Sequence, residues 1–162
     1  MKILIAYFSK NGHTKRVAND LAKNLKADIE EIVDLKDRRG LKGWLESGRD
    51  GMKGYLTEIR EIEKKPKNYD LVIVGTPVWG WNSTPAARTY IANNKDDFKN
   101  LAVFITSGDT KPEKTVASLE TVLNGNKVLT FEGWSEKELK DEKIYREKLE
   151  RFITNTTKKN IF

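Results

Sequence analysis

Ile3-Leu4-Ile5-Ala6-Tyr7 runs directly into Phe8-Ser9-Lys10-Asn11-Gly12-His13-Thr14, and from there into a helical pattern. A continuous apolar run of this length reads as a buried strand. The small and polar residues after it read as a turn that opens a helix. A helix N-terminus leaves backbone N–H groups without partners and carries the positive end of the helix dipole, so it suits an anion, with phosphate the natural guest. Ser9, Asn11 and Thr14 add side-chain donors, and Gly12 lets the backbone come close. The turn is neither a Walker loop nor a dinucleotide fingerprint, because the required glycines and the Gly-Lys-Ser/Thr ending are absent. His13 is expected to offer its backbone N–H rather than its ring.

Outward from this turn, strands alternate with helices. Residues 13–26 place Val17, Ala18, Leu21, Ala22 and Leu25 at helical spacing. Residues 29–33 read as a weaker strand suited to a sheet edge. In 41–56, Leu41, Trp44, Leu45, Met52, Tyr55 and Leu56 form a helical stripe that Gly48, Gly51 and Gly54 are expected to break. It is read as a helix covering one face of the sheet, or as a flap whose Trp44 or Tyr55 reaches a ligand. Residues 70–76 are a strand apolar on both faces, as parallel pairing requires. Thr84-Pro85 reads as N-cap and first turn of a helix reaching Asn94. Strands at 101–106 and 127–131 enclose a helix at 113–123. Ser135 and Glu138 form a capping box ahead of a final helix to Asn155. The order implies one α/β domain over 1–162, a parallel sheet with helices on both faces and ligands beyond the strands' carboxyl ends.

Two later turns are unusual as well. Pro77-Val78-Trp79-Gly80-Trp81-Asn82 puts two indoles at a strand's carboxyl end, where they suit a planar ligand. Ser107-Gly108-Asp109-Thr110 follows the next strand; Asp109 is read either as a contact to a ring edge or as turn chemistry.

Composition narrows the chemistry. The chain has 162 residues, no cysteine, one histidine and a net charge of +6. Disulfides, thiolate catalysis, Fe–S clusters and Cys- or His-rich metal sites are excluded, so redox chemistry would need a cofactor. The basic residues are interleaved with acidic ones and form no aromatic-laced tract, so no nucleic-acid partner is expected. No apolar run is long enough for a membrane span, and the N-terminus lacks a cleavable leader, so a cytoplasmic chain is expected.

The three turns together resemble the flavodoxin family. The resemblance covers almost the whole chain and implies a doubly wound five-stranded sheet of order 2-1-3-4-5 that binds FMN non-covalently. It implies that Ser9, Lys10, Asn11, Gly12, His13 and Thr14 hold the phosphate. It assigns Pro77, Val78, Trp79 and Gly80, with Trp81 and Asn82, and Ser107, Gly108 and Asp109 to the isoalloxazine ring, with Trp79 or Trp81 as the stacking ring. The loop after the fourth strand lacks a second aromatic, and the chain is basic where electron-transfer flavodoxins are acidic. That contrast implies a less negative low potential or an acidic partner. Three functions follow as expectations: an electron carrier, an FMN-dependent NAD(P)H or quinone reductase, or a flavin-free interaction module. The partner would be a redox protein or a small electron donor or acceptor, and the chain a monomer or homodimer.

Overall fold

Alternate side chains of the central strands fill two different cores. The computed structural model describes residues 1–108 and 111–158. Its elements are β1 (Ile3–Tyr7), α1 (His13–Leu25), β2 (Asp28–Glu31), α2 (Gly40–Met52), β3 (Leu71–Trp79), β4 (Asn82–Ser83), α3 (Pro85–Asn93), β5 (Leu101–Ser107), α4 (Pro112–Glu120), β6 (Thr130–Ser135), α5 (Glu136–Lys140) and α6 (Glu142–Lys158). The five long strands pair in parallel in the order β2-β1-β3-β5-β6, and β4 pairs antiparallel with β3. This is the expected doubly wound order, with one short strand added.

On one face Leu4, Val72, Val74, Val103 and Ile105 pack under Ala87, Tyr90 and Ile91 of α3 and Val116 and Leu119 of α4. On the other, Ile5, Ile73 and Phe104 meet Val17 and Leu21 of α1 and Leu149 and Phe152 of α6. Strand side chains alternate between faces, so continuous apolar character is what a sheet covered on both sides needs.

Several boundaries move from the sequence reading. The second strand lies at the sheet edge but ends at Glu31. The last strand is Thr130–Ser135 rather than 127–131, and its Trp134 is fully buried between Phe104, Tyr145 and Phe152. Its buried positions are Thr130, Gly133 and Trp134, so polar and small residues hid a strand whose one large buried side chain is an indole. The capping box forms: Ser135 Oγ accepts from Glu138 N at 3.3 Å and Glu138 Oε2 from Ser135 N at 2.8 Å. It caps only the short α5. Asp141, in extended conformation, ends α5 and restarts the chain as α6 by accepting from the Lys143 and Ile144 amides.

The stretch 41–56 departs most. α2 runs unbroken through Gly48 and Gly51, and its apolar stripe faces outward. Leu41, Trp44, Leu45 and Met52 are exposed; Gly43, Ser47, Asp50 and Gly51 are buried. It does not cover the sheet face. A Cβ on Gly51 would overlap the Trp79 carbonyl, and one on Gly43 would overlap the Arg38 backbone. Small residues let backbone approach backbone there, and no apolar side chain fits between.

Candidate functional site

The turn after β1 folds around a hydroxyl. Ser9 Oγ accepts from the backbone N–H of Gly12 at 3.2 Å and of Lys15 at 3.3 Å. Gly12 holds φ 88°, a conformation that glycine adopts without strain, and a Cβ there would meet open space. The amides of Asn11, His13 and Thr14 take no acceptor among the described residues. A serine hydroxyl accepting two hydrogen bonds still has its own proton to donate. The cradle therefore presents free amides, one hydroxyl proton and a helix N-terminus to an anion. Thr14 contributes no side-chain donor to the surface: its buried hydroxyl is 2.9 Å from that of Thr106, tying α1 to β5. His13 stands exposed at the first position of α1.

The second turn is a hairpin. Val78 pairs with Ser83 and Trp79 with Asn82, leaving Gly80 and Trp81 as a two-residue loop with φ 55° and 63°. Two successive positive φ values define the type I′ turn, which matches the strand twist. Gly80 has a further reason to be glycine: a Cβ would strike Gly48 O and lie 2.8 Å from Met52 N of α2. Beneath the hairpin, Thr76 Oγ1 donates to Pro77 O at 2.8 Å and accepts from Thr84 N at 3.1 Å. Asn82 Oδ1 accepts from Ser83 N at 2.8 Å. Trp81 is 70% exposed. Trp79 is half-buried, edge-on to Phe8 at 5.4 Å between ring centroids. Two cations lie against its ring, Lys10 Nζ at 5.3 Å and the Arg38 guanidinium at 5.5 Å from the centroid.

A cavity of about 590 Å³ opens between these turns and α2. Lys10 and Asn11 line one side, Val78, Trp79 and Gly80 another, and Trp44, Leu45 and Met52 a third. It is aromatic and aliphatic with cationic groups at its edge, as a site for a planar anionic molecule requires. Ser107, at the end of β5, lines a separate cavity with Lys111, Trp134 and Lys148. Gly108 is exposed beside it. Asp109 lies outside the described residues. The first two turns are thus brought to one cavity, while Ser107 faces another.

Buried charge holds α2 in place. Asp50 accepts from Lys36 Nζ at 2.9 Å, Arg38 Nη1 at 3.0 Å and Arg49 Nη2 at 2.8 Å. Burial alone pushes its carboxyl pKa up. Hydrogen bonds from Lys36, Arg49 and Arg38 outweigh that and hold it well below the usual carboxylate range. Arg38 also donates to Asp34 at 2.6 Å. At the base of the first turn, burial and the Glu31 charge push the Tyr7 phenol up to about 12, so it stays protonated at neutral pH.

A family model described as flavodoxin matches residues 2–156. The chain belongs to the flavodoxin family. Its fold is similar to that of a flavoprotein solved in complex with FMN from Lactobacillus acidophilus NCFM, with a TM-score of 0.71 at 24% identity over 86% of this chain and 97% of that one. Oxidised flavodoxin 1 from Bacillus cereus aligns over 97% of this chain and 98% of its own, with a TM-score of 0.57 at 17% identity. The Trp repressor binding protein from Bacillus subtilis aligns over 94% and 98%, with a TM-score of 0.60 at 12% identity. No curated protein sequence matches the chain.

For this flavodoxin-family chain, the flap reading of 41–56 names Trp44, which lines the cavity, and Tyr55, which does not; Leu45 and Met52 enter only as members of the apolar stripe. Sequence reasoning missed Arg38, which is 8% exposed and lies over Trp79. The recurrence of Gly43, Ser47 and Gly51 at four-residue spacing was the available signal: a stripe of small residues is a face that backbones can approach.

Proposed function

We propose that this protein binds FMN non-covalently and works as an electron carrier. The observation that supports it best is the convergence of an anion cradle at Ser9–Thr14 and an aromatic cavity at Trp79. The residues fit the group. The free amides of Asn11, His13 and Thr14, with the Ser9 hydroxyl proton, suit a phosphate. Trp79 and the apolar wall suit an isoalloxazine ring. Bound FMN would supply the electron chemistry.

The chain's own residues then bind, orient and exclude water. Lys10 lines the cavity next to Trp79 and offsets negative charge there. Trp79 is fixed by Phe8 on its edge and by cations near its ring, so it meets a ligand without first being ordered. Trp44, Leu45 and Met52 keep water from one side. A carrier needs no side chain to act as a general acid or base.

Titration with FMN, followed by flavin absorbance and fluorescence, tests this. One-to-one binding with quenched fluorescence is expected. Trp79→Ala should weaken it by about 2- to 13-fold if stacking contributes the usual ~0.5–1.5 kcal/mol. No binding at micromolar FMN would leave the fold without this function. A second reading, an FMN-dependent oxidoreductase, is supported by the exposure of Trp44 and Leu45 at the cavity wall, which leaves aromatic surface for a planar substrate. Steady NAD(P)H oxidation by the FMN-loaded protein would select it.

A further inference from the structure

Among the described residues, most of the large hydrophobic side chains that are clearly exposed belong to one region. Leu41, Trp44, Leu45, Met52, Tyr55 and Leu56 come from α2 and the segment after it, and Trp81 from the hairpin loop that packs against it. Leu41 is 76% exposed and Trp44 65%. Apolar surface concentrated in this way on a folded domain marks a contact surface.

Trp81 adds an independent observation. It holds φ 63°, which costs a bulky residue free energy, and at 70% exposure burial returns little of it. The type I′ turn requires the positive φ but not an indole, so a tryptophan kept there with its ring largely in solvent points to a role outside the fold.

The charges around this surface have one prevailing sign. Lys10, Lys42 and Lys53 form no ion pair among the described residues. Glu46 and Asp50, the acidic residues of α2, are already paired with Lys36, Arg38 and Arg49. We propose that the outer face of α2, together with Trp81, is the docking surface for an acidic protein: a partner whose apolar patch meets Trp44, Leu45 and Trp81, and whose carboxylates meet Lys10, Lys42 and Lys53.

A second copy of this chain fits less well, because like charges would meet across the contact. A lipid surface fits less well too. Trp44, Leu45 and Met52 also line the cavity, so whatever lies on this face covers the cavity mouth. A protein that exchanges electrons there profits from that position, whereas a bilayer would close it. As the landing site of a redox partner, the surface rests on the FMN reading; as a protein-binding surface it does not.

The test is calorimetric binding of a small acidic [2Fe–2S] ferredoxin, used as the probe, to the protein with and without FMN. The expected result is a complex with Kd near or below about 100 μM that weakens several-fold when salt rises from low to physiological ionic strength. Trp44→Ala, and separately Lys42→Glu with Lys53→Glu, should each weaken it by about tenfold. Lys23→Glu, at the other end of the sheet, should leave it unchanged. Circular dichroism checks that each variant is folded. Binding without FMN but no FMN titration would reject the flavin reading and keep the surface. Three results would overturn the proposal: no complex, a complex indifferent to the α2 variants, or a sedimenting dimer or phosphatidylglycerol-vesicle binding in place of the complex.

Discussion

α1 and α2 are both 13 residues long, and both carry an apolar stripe at helical spacing. One buries its stripe and the other displays it. In α1, Val17, Ala18 and Leu21 are fully buried against β1, β3 and β5. In α2, Leu41, Trp44 and Leu45 face outward, while Gly43 faces the Arg38 backbone and Gly51 the Trp79 backbone. The first helix is held by removing hydrocarbon from water. The second is held by buried ion pairs and by backbone contact that only small residues permit. The same periodicity therefore supports opposite orientations, according to what the neighbouring surface offers.

The sharpest way to break this contrast is Asp50→Asn. It should cost about 3–5 kcal/mol in urea unfolding, because Arg38 and Lys36 lose their shared carboxylate in a buried setting. Its pH signature follows from the depressed pKa of Asp50. The stabilisation is fully present above the unfolded-state value of about 3.9 and fades as pH falls below it toward the folded value. Stability of the wild type should thus drop more steeply than that of the variant below about pH 4.

Next in size is the leucine pair. Leu21→Ala should cost about 2–5 kcal/mol, whereas Leu45→Ala should stay within about 0.5 kcal/mol, measured by the same unfolding curves. Equal losses would mean that α2 is buried after all.

The glycine pair should differ in sign. Gly48→Ala faces open space and should stabilise the helix by up to about 1 kcal/mol. Gly51→Ala would drive a methyl into the Trp79 carbonyl and should destabilise by about 1–3 kcal/mol, visible as a lower Tm.

The smallest effect is expected at Trp81. Trp81→Asn relieves a positive φ and should be neutral or stabilising by up to about 1 kcal/mol, although it removes the most exposed aromatic at the hairpin.

Most of the architecture was legible from residue patterns. The unbroken apolar runs at 3–7, 71–76 and 101–106 required a sheet buried on both faces. Thr84-Pro85 marked a helix start that forms as expected, and Ser135 with Glu138 a capping box that forms but caps only the short α5. The last strand was less legible, because its burial rests on Trp134 rather than on a run. The candidate site was legible in its first turn and half-legible in its second: the indoles stood out, but the hairpin that separates them did not. Trp81 carries a positive φ that nothing about tryptophan announces.

By itself the sequence determined the buried strands at 3–7, 71–76 and 101–106, the helix starts after Gly12 and Thr84, and that the first turn can hold an anion. Those properties are local, set by side-chain alternation, capping groups and unpaired amides. Only the tertiary structure decided which face of α2 turns inward, which of Trp79 and Trp81 lines the cavity, and that Ser107 lines a different one. Those outcomes depend on surfaces distant in the chain: a helix turns its small residues inward only where another backbone comes close enough to need them.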